Sequence, residues 1–216
     1  MKYNDLIIEK FHHDTILVKN DIVIYFDPYK IDMINMPRAD IILISHHHHD
    51  HCSPEDIEKV IKTDTIIIAT PACQGQLAKF QQNKVFIKPN EEFNHQDVKV
   101  RTISAYNLNK YRSPGQLFHA KTEGGVGYIL ELNETRLYFA GDTDNIPEMA
   151  DLQNIDIAFL PISGTYVMTV EEAVQVISKF QPKIIIPMHY GSVVGDRSQA
   201  EELKKLVIEA EVKILD

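Results

Sequence analysis

The chain has 216 residues, 44% apolar and 25% charged, which is long enough to bury a substantial core without staples. Its 22 Lys and Arg against 31 Asp and Glu give a formal charge of −9, which argues against broad electrostatic binding to nucleic acid or anionic membrane. Two cysteines, Cys52 and Cys73, are too few for a disulfide scaffold. With no run of about 18 apolar residues, a cytoplasmic protein that neither enters a secretory path nor spans a membrane is expected.

The opening Met1-Lys2-Tyr3-Asn4-Asp5 leads into short β-branched runs at 6–10, 15–19 and 22–26, with Asn20-Asp21 as the turn between the last two. Asp27-Pro28-Tyr29 ends the third strand, because proline removes a ladder donor. The unbroken apolar run 39–44 predicts a strand buried on both faces, and it stops at Ser45, where four consecutive histidines begin. Ser53 as N-cap, Pro54 at the first helical position and the acids Glu55 and Asp56 predict a helix over 54–62. A strand at 65–69, a helix over 72–82 and a strand at 84–87 continue a β-α-β-α rhythm.

Strands return at 97–103, 126–132 and 135–139, the last pair joined at Asn133-Glu134. The intervening 106–125, with Pro114, Gly115, Gly124 and Gly125, reads as a long functional loop because it carries His119. The final third alternates: strand 156–160, helix 170–180 opened by the capping box Thr169/Glu172, strand 183–187, helix 198–209 and strand 212–215. No stretch rich in Pro, Gly or Ser divides the chain, so a single domain over 1–216 is expected, with two packed sheets and helices outside.

Chemistry concentrates where the buried strand ends. His46, His48, Asp50 and His51 lie between that strand and a capped helix, so four N and O donors converge within six residues, a set suited to zinc or another borderline divalent metal. Ser45-His46-His47-His48-His49-Asp50-His51 matches the HxHxDH signature and resembles the metallo-β-lactamase superfamily. Two further matches follow in order, each just past a strand: Ala140-Gly141-Asp142-Thr143 and Pro187-Met188-His189-Tyr190-Gly191.

Within that superfamily the chain is most similar to small metal-dependent hydrolases related to ascorbate-6-phosphate lactonase and N-acylphosphatidylethanolamine-type phospholipase D. His12-His13-Asp14-Thr15, Asp27-Pro28-Tyr29, Ala105-Tyr106-Asn107, Phe118-His119 and Gly125-Val126-Gly127-Tyr128 carry this likeness. It implies an α+β fold, a four-layer αββα sandwich. It also implies two divalent ions, Zn2+ first, with Mn2+, Fe2+ or Ni2+ accepted by the same donors. By resemblance His46 and His48 hold one metal, Asp50, His51 and His189 the other, and Asp142 bridges them. Many relatives place a third histidine on the first metal where this chain has Asn107; either His119 supplies that nitrogen or the first metal is weakly held, the Asn107 amide being a poorer ligand.

The expected activity is attack of a metal-bound hydroxide on a small ester, lactone or phosphodiester, with Asp50, His119 and His13 as catalytic residues. The expected partner is a small-molecule substrate, possibly phosphorylated, towards which Lys110, Arg112 and Lys121 could offer charge. Tyr166 and Tyr190 are candidates for pocket lining, whereas His12, His47, His49 and His95 read as solvated or structural. The alternatives are a phospholipase D-like phosphodiesterase on a lipid or nucleotide, a metal-binding regulatory protein without turnover, and a di-iron redox protein, for whose flavin domain the chain has no room.

Overall fold

Tight turns join the short β-branched runs at the start of the chain, so they fold as a meander: β1 (Lys2–Tyr3), β2 (Leu6–Lys10), β3 (Ile16–Lys19) and β4 (Val23–Phe26) pair antiparallel in sequence order. β5 (Ile41–Ile44), β6 (Ile66–Ala69) and β7 (Asn83–Phe86) then add in parallel, completing a seven-stranded sheet. Parallel neighbours need a crossover, and α1 (Pro54–Val60) supplies it between β5 and β6, capped by Ser53, whose side chain accepts from the Asp56 N–H. One face of the sheet offers Leu17, Tyr25, Ile42, Ile44, Ile67 and Ala69, against which α1 packs Ile57 and Val60. Val18, Ile24, Phe26, Ile41, Leu43 and Ile68 on the other face are buried too, which is why these strands show no polar alternation.

The computed structural model describes residues 1–32 and 35–215. They form two compact units, one of Met1–Lys88 together with Leu215 and the other of Pro89–Ile214. The helix expected over 72–82 is absent. Pro71–Cys73 is one 3-10 turn, and the next residues continue as turns with i to i+3 bonds such as Ala78 N–H to Gly75 O. Gly75 weakens helix propagation, and Gln76 donates its amide to the His47 carbonyl at 2.6 Å, so a tertiary contact holds the segment where local preference is low.

In the second unit β8 (Glu92–His95), β9 (Val98–Ser104), β12 (Val126–Leu132) and β13 (Thr135–Phe139) are antiparallel neighbours. β14 (Ile157–Pro161), β15 (Ile184–Met188) and β16 (Glu211–Val212) follow β13 in parallel, giving a second seven-stranded sheet. The 3-10 helix Pro147–Asp151 lies in the β13–β14 connection, and α2 (Val170–Phe180) and α3 (Arg197–Leu206) make the next two crossovers. The capping box of α2 is present, Thr169 N–H reaching Glu172 Oε2 at 2.7 Å, and its buried stripe is Val170, Ala173, Val176, Ile177 and Phe180. The segment 106–125 holds a hairpin, β10 (Tyr111–Ser113) with β11 (Gln116–Leu117), turned at Gly115 with φ +75°. Among the described residues no helix is long and apolar enough to cross a membrane.

Candidate metal centre

In the first unit the chemistry gathers where the parallel strands β4 and β5 end, the edge at which parallel sheets present ligand sites. Asp27 leaves β4 with φ +41° and its N–H bonds the Leu43 carbonyl, which brings its carboxylate beside the start of the histidine loop. There it is fully buried and accepts from Ser45 N–H at 2.7 Å, from Ser45 Oγ at 2.5 Å and from His51 Nδ1 at 2.7 Å. Burial pushes the Asp27 carboxyl above the usual carboxylate range, while the bonds from His51 and Ser45 pull against it.

These contacts set the tautomers. Ser45 spends its one hydroxyl proton on Asp27, so towards His46 Nδ1, 3.0 Å away, it only accepts, and His46 carries its proton on Nδ1. His51, whose Nδ1 meets a carboxylate, does the same. Both rings therefore turn an Nε2 lone pair inward, and His46 Nε2 lies 3.1 Å from His48 Nδ1. One ligand atom each from Asp27, His46 and His51 lie within 4.8 Å of one another, as do atoms from His13, Asp14 and His51. His13 occupies the β2–β3 turn with φ +56°, and its Nε2 lies 3.3 Å from Asp50 Oδ2. His46 and His51 are buried, His47 and His48 half-buried, and His49 exposed.

In the second unit Asp142, just beyond β13, meets two imidazoles: His119 Nε2 and His189 Nε2 each lie 3.2 Å from its Oδ2. His189 follows β15 with φ +59°, and its Nδ1 is 2.9 Å from Ser163 Oγ, just past β14. Asn107 sits behind His119. Its Oδ1 accepts the His119 backbone N–H at 2.8 Å and faces His119 Nδ1 at 3.1 Å, while its Nδ2 donates to Tyr166 O at 2.8 Å and to Asp144 Oδ1 at 3.2 Å. That network orients the amide, so Nδ1 of His119 carries the proton and Nε2 presents a lone pair to a carboxylate oxygen. Both lone pairs of the Asn107 oxygen thus face His119, one its backbone N–H and the other its Nδ1.

The remaining candidates separate. Lys110 is tied to Glu172 Oε2 at 2.8 Å and lies 3.6 Å from Asp144, and Lys121 bonds Glu148 at 2.6 Å, so both cations are neutralised locally. Arg112 lies over the Phe118 ring at 5.7 Å. Tyr166 packs edge-on to Phe118 and is 6.3 Å, ring to ring, from His189, whereas Tyr190 is buried. His12 is exposed, and His95 stacks on Phe93. Sequence reasoning missed Asp14, Ser163 and Asp144, the last of which accepts from the backbone N–H of Leu108 and Asn109 and shapes the start of the 106–125 segment. The repeated acid in Gly141-Asp142-Thr143-Asp144 was the available signal for Asp144.

A model of the beta-lactamase superfamily domain matches residues 8–189, through both units and from within β2 to His189. A UPF0173 metal-dependent hydrolase of Natranaerobius thermophilus is 28% identical over 200 residues, covering 88% of this chain and 85% of that one. Another from Thermococcus onnurineus is 31% identical over 189 residues, covering 82% and 79%. A Parabacteroides distasonis protein, solved under the description of a metal-dependent hydrolase, superimposes with a TM-score of 0.83 at 36% identity over 98% of this chain and 94% of that one. These likenesses give the fold class as the expected α+β metallo-β-lactamase type, and the chain belongs to the metallo-β-lactamase superfamily and, within it, to the metal-dependent hydrolases.

Proposed function

We propose that the chain is a dinuclear hydrolase of a small ester, lactone or phosphodiester, with both units acting as one domain over 1–216. His46, His48 and His119 hold one divalent ion, Asp50, His51 and His189 the other, and Asp142 serves both. The observation that carries this reading is His119 Nε2 facing Asp142 Oδ2 at 3.2 Å, with its proton held on Nδ1 by Asn107. An acceptor facing an acceptor repels unless a proton or a cation lies between them, and the chemistry of this donor set, imidazole and carboxylate, fits zinc, manganese or iron.

When bound, the cations supply Lewis acidity, acidifying water and polarising the oxygen under attack. The chain supplies orientation and a proton path. Asp27 and Asn107 hold the ligand rings in one tautomer, as carboxylate and amide partners of metal-binding histidines do. Asp50, whose side chain is 24% exposed against 0% for His13, is the carboxylate open to substrate; its Oδ2 takes the proton of the attacking water, with His13 Nε2 at 3.3 Å to share it. The buried free thiols Cys52 and Cys73 support a reducing, cytoplasmic setting.

The test is metal content and hydrolysis measured on one preparation, against phosphodiesters, phosphomonoesters and lactones. Two metals per chain and turnover of one class are expected, with Asp142→Ala losing most activity and at least one metal. Both metals and parental turnover in Asp142→Ala would overturn the assignment, and two metals without turnover of any class would favour a regulatory protein.

A further inference from the structure

Asp14 has no task in the proposed reaction, yet among the described residues of the first unit both its carboxylate oxygens are buried without a hydrogen bond. Its exposure is 0%. The neighbouring Thr15 hydroxyl, which could have served it, turns its single proton instead towards the carbonyls of Asp27 at 2.8 Å and Tyr29 at 3.0 Å, which share it, and accepts the Tyr29 N–H. Among the described residues the ion-pair contact of Asp14 is at 3.9 Å to His51 Nδ1, whose proton is already given to Asp27 at 2.7 Å. Asp14 also acts on Lys10, which is itself buried and has its Nζ on the Phe11 carbonyl at 3.3 Å. Burial pushes that amine below its ordinary range, with Asp14 pulling it back.

Three carboxylates thus surround one imidazole: Asp27 at 2.7 Å and Asp14 at 3.9 Å from His51 Nδ1, and Asp50 at 4.0 Å from His51 Nε2. A buried anion is tolerated when it is hydrogen-bonded, paired or bound to a metal. Asp14 lacks the first, and its pairing is indirect. Ligand atoms of His13, Asp14 and His51 nevertheless lie within 4.8 Å of one another, a spacing that one cation spans.

We infer that Asp14 is a further metal-binding carboxylate, which joins Asp50 and His51 and makes that position richer in oxygen donors and so more accepting of Mn2+. The inference rests on the proposed role of Asp50 and His51. Sequence signal for it was slight: a lone acid in a hairpin turn ordinarily points to solvent, and only the fold buries this one.

The experiment uses full-length protein stripped of metal and titrated with Mn2+ or Zn2+ against a chelating indicator, for the parent, Asp14→Asn and Asp14→Ala. Expected is a fall of tenfold or more in affinity for one of two equivalents in both variants, larger for Mn2+ than for Zn2+. The metal-free variants should melt at or above the parent's temperature, because an unsolvated carboxylate is gone, while the rise in melting temperature on adding metal shrinks. Affinities within twofold of the parent for both equivalents would overturn the inference. So would equal losses of melting temperature with and without metal, the mark of a structural partner of Lys10. Asp50→Asn and His51→Ala, run alongside, separate the two failures: if they lose the equivalent that Asp14 variants keep, the Asp14 inference alone falls, and if they too keep it, the underlying reading falls.

Discussion

Asn107 Oδ1 lies 3.1 Å from His119 Nδ1 and 2.8 Å from the His119 backbone N–H, so one amide oxygen fixes both the position and the tautomer of a histidine twelve residues away. The residue that replaces a ligand in the family pattern is in this chain the orienting partner of a histidine from the long segment. Asn107→Ala removes that acceptor and lets the ring rotate or change tautomer. Metal affinity should fall about 10- to 100-fold, the usual loss when the hydrogen-bond partner of a ligand is removed. Chelator competition on the stripped protein measures it, and unchanged affinity for both equivalents would refute the orienting role.

Asp27 is the corresponding anchor of the first unit. Asp27→Ala strands three donors, Ser45 N–H, Ser45 O–H and His51 Nδ1–H, in a fully buried position. Leaving a buried donor unsatisfied costs about 1–3 kcal/mol, so a loss on the order of 3 kcal/mol is expected in denaturant unfolding of the metal-free protein. A loss below about 1 kcal/mol would show that water or a rearranged loop serves those donors.

Asp56 ties α1 to the loop before β5. Its carboxylate accepts from Lys30 N–H at 3.0 Å, Ile31 N–H at 2.9 Å, Ser53 Oγ at 2.7 Å and Lys59 Nζ at 2.8 Å. Burial acts to raise its pKa, but the bonds from Lys59, Ser53, Ile31 and Lys30 prevail and leave it below its ordinary value of 3.8. A depressed folded pKa means the stabilisation is fully present above the unfolded value and is lost as pH falls through the folded one. Asp56→Asn should therefore destabilise by about 1–2 kcal/mol at pH 7, with the gap to the parent closing below about pH 4. Unfolding curves at the two pH values decide it; a gap independent of pH would contradict the assignment.

Gly127 on β12 has no space for a side chain. A Cβ there would stand 2.9 Å from the Ala140 carbonyl and 3.1 Å from that of Phe139, backbone atoms at the end of β13 that lead directly to Asp142. Gly127→Ala should cost about 1–3 kcal/mol by overpacking and should lower metal affinity together with stability, since the strand end must move. A stable variant with parental metal affinity would show that β13 yields without disturbing Asp142.

Local rules determined much of this protein. The runs at 126–132 and 135–139, and the capping box that opens α2, make their elements from neighbours a few residues away, and the structure reproduces those bounds. The histidine loop was legible for the same reason: His46, His48, Asp50 and His51 are neighbours in sequence and stay neighbours in any fold that ends a strand before them. Where local preference was weak, tertiary contact decided, as at Gly75 and Gln76, where an expected helix became turns held by the His47 carbonyl. The partners of the site were beyond sequence altogether. Asn107 meets Asp144 across 37 positions, His189 meets Ser163 across 26, and Asp14 comes to lie by His51, because sheet register and left-handed turns at His13, Asp27 and His189 set which atoms face one another. A hydrogen bond between distant residues depends on distances fixed by packing, and residue identity carries no record of those distances.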